Sequence, residues 1–154
     1  MQEIRFDDID SLTAAVSDDY GDFGAEVEVT QEDIDAFAEL TGDRQWIHVD
    51  VERATRESPF GGPIVHGFLT LSLLPKVATR PPVKVVGHSV GVNYGADKLR
   101  FLSPVPAGSR LHGRARLANV VVKSGGTLVT LEWDIRVVQA DRPAVLYGMQ
   151  ILYR

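Results

Sequence analysis

Val129-Thr130-Leu131-Glu132-Trp133-Asp134-Ile135-Arg136-Val137 alternates apolar and polar residues along its whole length. A period of two is the signature of a strand with one face on a core and the other in water. The same alternation runs through Leu111-His112-Gly113-Arg114-Ala115-Arg116-Leu117-Ala118, and again through Val145, Tyr147, Met149, Ile151 and Tyr153. Ser124-Gly125-Gly126 and Ala140-Asp141-Arg142-Pro143 separate the runs with turn-forming residues. Short turns of this kind join antiparallel neighbours. A further strand is expected from about Ser89 to Phe101, interruptible at Gly95. Four consecutive strands read as an antiparallel meander.

Upstream, the period changes. Ile64 to Ala78 carries Phe68, Leu69, Leu71, Leu73, Leu74 and Val77, apolar on nearly every side. That predicts a buried helix, kinked or ended at Pro75. The breaker cluster Ser58-Pro59-Phe60-Gly61-Gly62-Pro63 leads into it. Thr30-Gln31-Glu32-Asp33 has the form of a capping box, with Ile34, Phe37 and Ala38 behind it on one face. The helix should end near Thr41-Gly42, where glycine suits a left-handed terminus. Glu26 to Thr30 reads as a strand, Asp43 to Asp50 as a loop, and Glu52 to Arg56 as one helical turn. Ile9, Leu12 and Val16 predict a short helix within residues 7–17. Residues 1–22 are thus expected as an N-terminal helical extension of one domain spanning 1–154. Helices segregated from an antiparallel sheet define an α+β fold.

Composition narrows the function. A chain of 154 residues fits a single domain. It has no cysteine, which excludes disulfides, iron–sulfur clusters and thiolate zinc. The net charge of −5 argues against nucleic acid as a partner. No apolar run approaches the ~18 residues of a membrane span. The first residues are acidic and polar, with no signal-peptide pattern. A cytoplasmic location is the expectation.

Two segments concentrate the chemistry. Thr41-Gly42-Asp43-Arg44-Gln45-Trp46-Ile47-His48 places an acid and an imidazole five residues apart. They suit acid–base work if the loop folds back; a turn aspartate and a packed histidine are the simpler reading. Gly62-Pro63-Ile64-Val65-His66-Gly67-Phe68-Leu69-Thr70 opens the apolar helix. Free N–H groups there can face an anion or a developing oxyanion, or the glycines can serve packing alone. His66 reads first as a packing residue, and Ser72 as a hydroxyl bonded back to its helix. His88 and His112 are unassigned. No metal-ligand spacing such as His-Glu-x-x-His occurs.

Taken together, these segments resemble the MaoC-like family, which contains the (R)-specific enoyl-CoA hydratases. Phe37 to Asp50 with Glu52-Arg53-Ala54 resembles its hydratase motif, and Pro63 to Leu73 its central-helix segment. Asn93 to Val105, leading into Gly108-Ser109-Arg110-Leu111, matches a family strand. The resemblance covers about Val27 to Tyr153. Gln45-Trp46 departs from the commoner Asn-Pro pair.

The resemblance implies a hot-dog fold, an antiparallel sheet wrapped around a long central helix, in a homodimer with its sheets joined edge to edge. It implies a hydro-lyase of fatty-acid metabolism that adds water to trans-2-enoyl-CoA, giving (R)-3-hydroxyacyl-CoA. By carry-over, Asp43 is the base toward water and His48 orients that water. Gly67 N–H faces the thioester oxygen, and Gln45 and Ser72 join the substrate site. No metal or other cofactor is implied, coenzyme A being part of the substrate. Trp46 is a candidate lining of an acyl tunnel. Arg100, Arg110, Arg114, Arg116 and Lys123 are candidate contacts to the nucleotide phosphates, or plain solvated charges. The rival readings are a hot-dog thioesterase and a non-catalytic acyl-thioester-binding protein. The first normally needs an acid on the central helix, and Ile64 to Ala78 has none.

Overall fold

The computed structural model describes residues 1–154. In chain order it contains β1 (Gln2–Arg5), α1 (Ile9–Ala14), β2 (Val27–Glu28), α2 (Gln31–Thr41), α3 (Trp46–Val49) and α4 (Val51–Glu57). Then come α5 (Gly67–Ser72), α6 (Leu74–Val77), β3 (Val83–Val86), β4 (Gly91–Phe101), β5 (Arg110–Lys123), β6 (Gly126–Val137) and β7 (Val145–Tyr153). No helix is long and apolar enough to cross a membrane.

The alternating runs form the strands that their period predicts. A five-stranded sheet runs in the order β2-β5-β6-β7-β4 with every pair antiparallel. β5, β6 and β7 make the expected meander, but β4 lies beyond β7 instead of beside β5. The connection that follows β4 explains the difference. It contains Pro104 and Pro106, which have no N–H to give a ladder. Instead it crosses to the entry of α5. Val65 N–H donates to the Val105 carbonyl at 2.8 Å and Ala107 N–H to the Pro63 carbonyl at 3.0 Å.

One face of the sheet holds the core. Leu111, Ala115, Leu117, Val129, Leu131, Trp133, Ile135 and Val145 join Leu69, Leu74 and Val77 in one apolar cluster. The other face of β6 is not the wet one that alternation predicts: Thr130, Glu132 and Asp134 are all buried. Residues 17–24 cover it. Their N–H groups run down the edge of β5, from Ser17 to Leu117, Gly21 to Ala115 and Gly24 to Gly113. Tyr20 donates to Glu132 at 2.6 Å, and the Arg114 guanidinium lies 4.7 Å from the Phe23 ring. Burial would raise the Glu132 carboxyl, but bonds from Lys98, Tyr20 and Arg116 outweigh it and bring it down to about 2. The Tyr20 phenol, half-buried against that carboxylate, is pushed up to about 12. Asp134 is paired with Arg114 at 3.0 Å and also with Arg136.

The central helix is shorter than the expected Ile64–Ala78. Ile64 to His66 is extended, because Val65 pairs with Val105. Pro75 has no N–H for the Leu71 carbonyl, so the helix divides into α5 and α6 around Leu73. Nor is it buried all round: Phe68 is 61% exposed. The strand expected at Glu26–Thr30 shrinks to the two residues of β2. The N-terminal region is also more than a helical extension. β1 pairs in parallel with β3, and Ile4 and Leu12 lie in the core cluster.

Candidate active site

Local structure places the acid. Thr30 and Asp33 complete the capping box that starts α2. Gly42 ends it at φ 81°, donating to the Ala38 carbonyl at 2.8 Å. Glycine takes that left-handed conformation without a Cβ penalty. The chain therefore turns sharply and presents Asp43, which is exposed. Asp43 N–H donates to Thr41 Oγ1 at 3.3 Å, and its carboxylate accepts from Gln45 N–H at 3.4 Å. Arg44 grips Glu39 with two hydrogen bonds of 2.9 and 2.6 Å and braces the turn.

What the sequence reads as a loop is partly helical. Gln45 is the N-cap of α3, which carries His48 inward to 6% exposure. His48 Nδ1 lies 2.7 Å from the Ile64 carbonyl. A carbonyl only accepts, so Nδ1 bears the proton and the neutral ring has its lone pair on Nε2. Burial holds the His48 imidazole below its ordinary value and the neighbouring His66 adds to this; the Ile64 carbonyl and Asp43 act in the opposite sense.

His66, which the sequence alone reads as a packing residue, belongs to the same cluster. It is buried, its ring stacks on His48 at 3.9 Å, and its Nε2 donates to the Asp43 main-chain carbonyl at 2.9 Å. Polar atoms of Asp43, His48 and His66 lie within 4.8 Å of one another. The three could offer a divalent metal one carboxylate and two imidazoles. One nitrogen of each ring is already committed to a main-chain carbonyl.

Gly67 follows directly. As the first residue of α5 it has an N–H that the helix cannot satisfy. A Cβ there would lie 2.9 Å from the Phe101 ring, so glycine lets that ring sit directly against the helix start. Gly67, Ile64, Val65 and Thr70 line an apolar cleft of about 260 Å³ with Phe60 and Phe101. The acid, the imidazole, the free amide and the apolar cleft are therefore neighbours through a single segment, Ile64 to Gly67.

Ser72 is placed elsewhere. Its hydroxyl donates to the Phe68 carbonyl at 2.6 Å, and it lines a second cleft of about 380 Å³ beside Trp133 and Tyr147. Gln45 is exposed and contributes main-chain atoms, its carbonyl accepting from His48 N–H at 3.0 Å. Trp46 is not on the cleft beside Gly67; the Arg53 guanidinium lies 4.2 Å over its ring. Arg110, Arg114 and Arg116 are taken up by Glu26, Asp134 and Glu132. Arg100 donates to its neighbouring carbonyl at Leu99, and Lys123 lies 5.8 Å from the Tyr94 ring.

The sequence matches the MaoC like domain family over residues 14–136. It is 41% identical over 149 residues to 3-hydroxyacyl-thioester dehydratase Z of Mycobacterium tuberculosis strain H37Rv, across 96% of this chain and 97% of that protein. It is 46% identical over 120 residues to nodulation protein N of Rhizobium leguminosarum bv. viciae, across 77% of this chain and 74% of that one. The solved R-hydratase PhaJ1 of Pseudomonas aeruginosa, in unliganded form, superposes with a TM-score of 0.68 at 24% identity. That match covers 88% of this chain and 81% of the other. The shared architecture is the hot-dog fold.

Proposed function

The chain belongs to the MaoC-like domain family, and from that premise we propose that it is a hydro-lyase acting on acyl thioesters. In the direction of hydration it adds water to a trans-2-enoyl-CoA and forms the (R)-3-hydroxyacyl-CoA. The observation that carries this reading is the convergence of Asp43, His48 and Gly67 on one segment beside an apolar cleft.

The chemistry follows from those groups. Water is a poor nucleophile and the β-carbon of an enoyl thioester a soft electrophile. The Asp43 carboxylate accepts one water proton, and the lone pair on His48 Nε2 accepts a hydrogen bond from the other O–H. The water oxygen bonds to the β-carbon while the alkene electrons move toward the thioester oxygen. Gly67 N–H stabilises the charge that gathers there; one such donor is worth about 3–4 kcal/mol. The proton taken from water then returns to the α-carbon, which closes the balance. No metal, redox group or covalent intermediate enters. The absence of any Asp or Glu from Ile64 to Ala78 disfavours the thioesterase alternative.

The working form is a homodimer. β4 is an outer strand of the sheet, eleven residues long, with Val92, Tyr94 and Phe101 exposed. Phe68 of α5 packs against Phe101 at 5.4 Å and shares that exposed surface. A long apolar edge is an aggregation hazard unless covered, and a second copy covers it.

The test is incubation of the pure protein with trans-2-enoyl-CoA of several chain lengths, followed by chiral analysis. The (R)-3-hydroxyacyl product supports the reading. Release of free coenzyme A without hydration of the alkene makes the protein a thioesterase instead.

A further inference from the structure

His66 is the member of the cluster to which the mechanism gives no task. It is 2% exposed and sits at the N-cap of α5, yet its ring makes no capping bond. Nε2–H donates instead to the Asp43 carbonyl, 23 residues earlier. Asp43's other two hydrogen bonds, to Thr41 and Gln45, are longer and stay within its own turn. The His66 bond is therefore what ties the Asp43 turn to the entry of α5. The same ring lies on His48 at 3.9 Å with an interplanar angle of 26°, and Phe37 packs against it at 5.1 Å.

Packing alone does not account for a histidine here. With the proton on Nε2, Nδ1 is a buried nitrogen without a partner. An unpaired buried acceptor destabilises the fold, and a phenylalanine of similar shape would avoid that cost. What phenylalanine lacks is the donor to Asp43.

We propose that His66 is a positioning residue, fixing the Asp43 main chain and the His48 ring in the one register that lets both reach the same water. This rests on the hydro-lyase reading. Ile64 to Gly67 then acts as a template: the Ile64 carbonyl orients His48, the His66 ring holds Asp43, and Gly67 presents its amide.

Three variants test it. His66→Phe keeps a ring and loses the donor. His66→Gln restores an N–H at the reach of Nε2. His66→Ala loses both. Hydration of trans-2-hexenoyl-CoA is measured for each, with thermal melts and NMR titration of the His48 imidazole. The Phe variant should lose about 10²-fold in kcat, the scale of a small misplacement of a reacting group. KM should stay within about threefold, because ground-state binding is untouched. The Gln variant should recover most of kcat, and Ala should be no better than Phe. The groups around His48 are His66, Asp43 and the Ile64 carbonyl. Phe removes only the His66 contribution, so the His48 midpoint should rise. A Phe variant within threefold of wild-type kcat overturns the proposal. So does a Gln variant as poor as Phe whose kcat loss follows its loss of Tm. If the wild-type protein itself does not hydrate the substrate, the hydro-lyase reading falls, and hydrogen exchange of the backbone amides in the Asp43 turn, which the His66 bond ties down, decides. Exchange unchanged in the Phe variant then overturns positioning by His66, and exchange that speeds up in Phe and slows again in Gln upholds it.

Discussion

His48 donates from Nδ1 to the main-chain carbonyl of Ile64 at 2.7 Å, which leaves the lone pair of the neutral ring on Nε2. This bond joins the Asp43–His48 loop to the segment that opens α5. It also fixes which protonation state can work. A neutral ring accepts a hydrogen bond from water, whereas a charged ring presents a second N–H and orients water wrongly.

The pH dependence follows. Burial keeps the His48 imidazole below its ordinary value, so the neutral form persists into mildly acidic solution. On lowering the pH, kcat/KM should hold through about 6.5, the unperturbed histidine value, and fall only below it. A pH–rate profile on an enoyl-CoA substrate checks this. A loss already half complete above pH 6.5 would contradict the assignment.

Chelation should change nothing. Asp43, His48 and His66 together resemble a metal donor set, but the mechanism needs the His48 lone pair for water. Dialysis against EDTA should leave kcat unaltered, and added zinc should restore nothing. A chelator-dependent loss of activity that zinc reverses would replace the metal-free mechanism.

The exposed edge of β4 makes a prediction about mass. Light scattering at micromolar concentration should give twice the chain mass. Substituting Val92 or Tyr94 by lysine should shift the population toward monomer, because a charge on an edge opposes pairing. A monomeric wild-type protein would overturn the dimer.

Glu132 predicts an acid-labile term in stability. Its carboxyl lies at about 2 in the folded protein, below the ~4.3 of a free glutamate. A depressed carboxylate stabilises the fold above its unfolded value, and that contribution fades as pH falls from about 4.3 through about 2. Glu132→Gln takes the charge from between Lys98, which is 43% exposed, and Arg116, which keeps Ser17 and Asp18; the loss should be about 1.5–3 kcal/mol, the worth of hydrogen bonds to a charged group. Denaturant melts should show that deficit at pH 7 and a shrinking one between pH 4 and 2. A deficit independent of pH would mean that the carboxylate's charge is not what matters.

The strands of the sheet were legible because Val129 to Val137 and its two companions keep a strict period of two. Their environment was not. Glu132 and Asp134 read as solvent-facing, and only the return of Tyr20 and Phe23 from more than a hundred residues away buries them. The place of β4 depended on the crossing from Leu102 to Ser109, which local alternation does not encode. β1 and β3 were missed although Gln2 to Arg5 and Val83 to Val86 carry weak strand signals; four-residue strands fall below what periodicity resolves. At the site, the spacing of Asp43 and His48 and the Gly67 helix entry were visible. The place of His66 in the cluster was not, because its bond to Asp43 spans 23 residues.

The central claim is that Asp43 is the base and shares one water with His48. The direct measurement is a double-mutant cycle on kcat with Asp43→Asn and His48→Ala, with thermal melts alongside. Asp43 is an exposed turn residue, so Asp43→Asn should leave the melt close to wild type. Each single variant should lose about 10²–10⁴ in kcat, the usual worth of general acid–base catalysis. The double variant should be little worse than Asp43→Asn, because groups acting on one water do not add. Near-wild-type turnover in Asp43→Asn, or losses that add in full, would contradict the account.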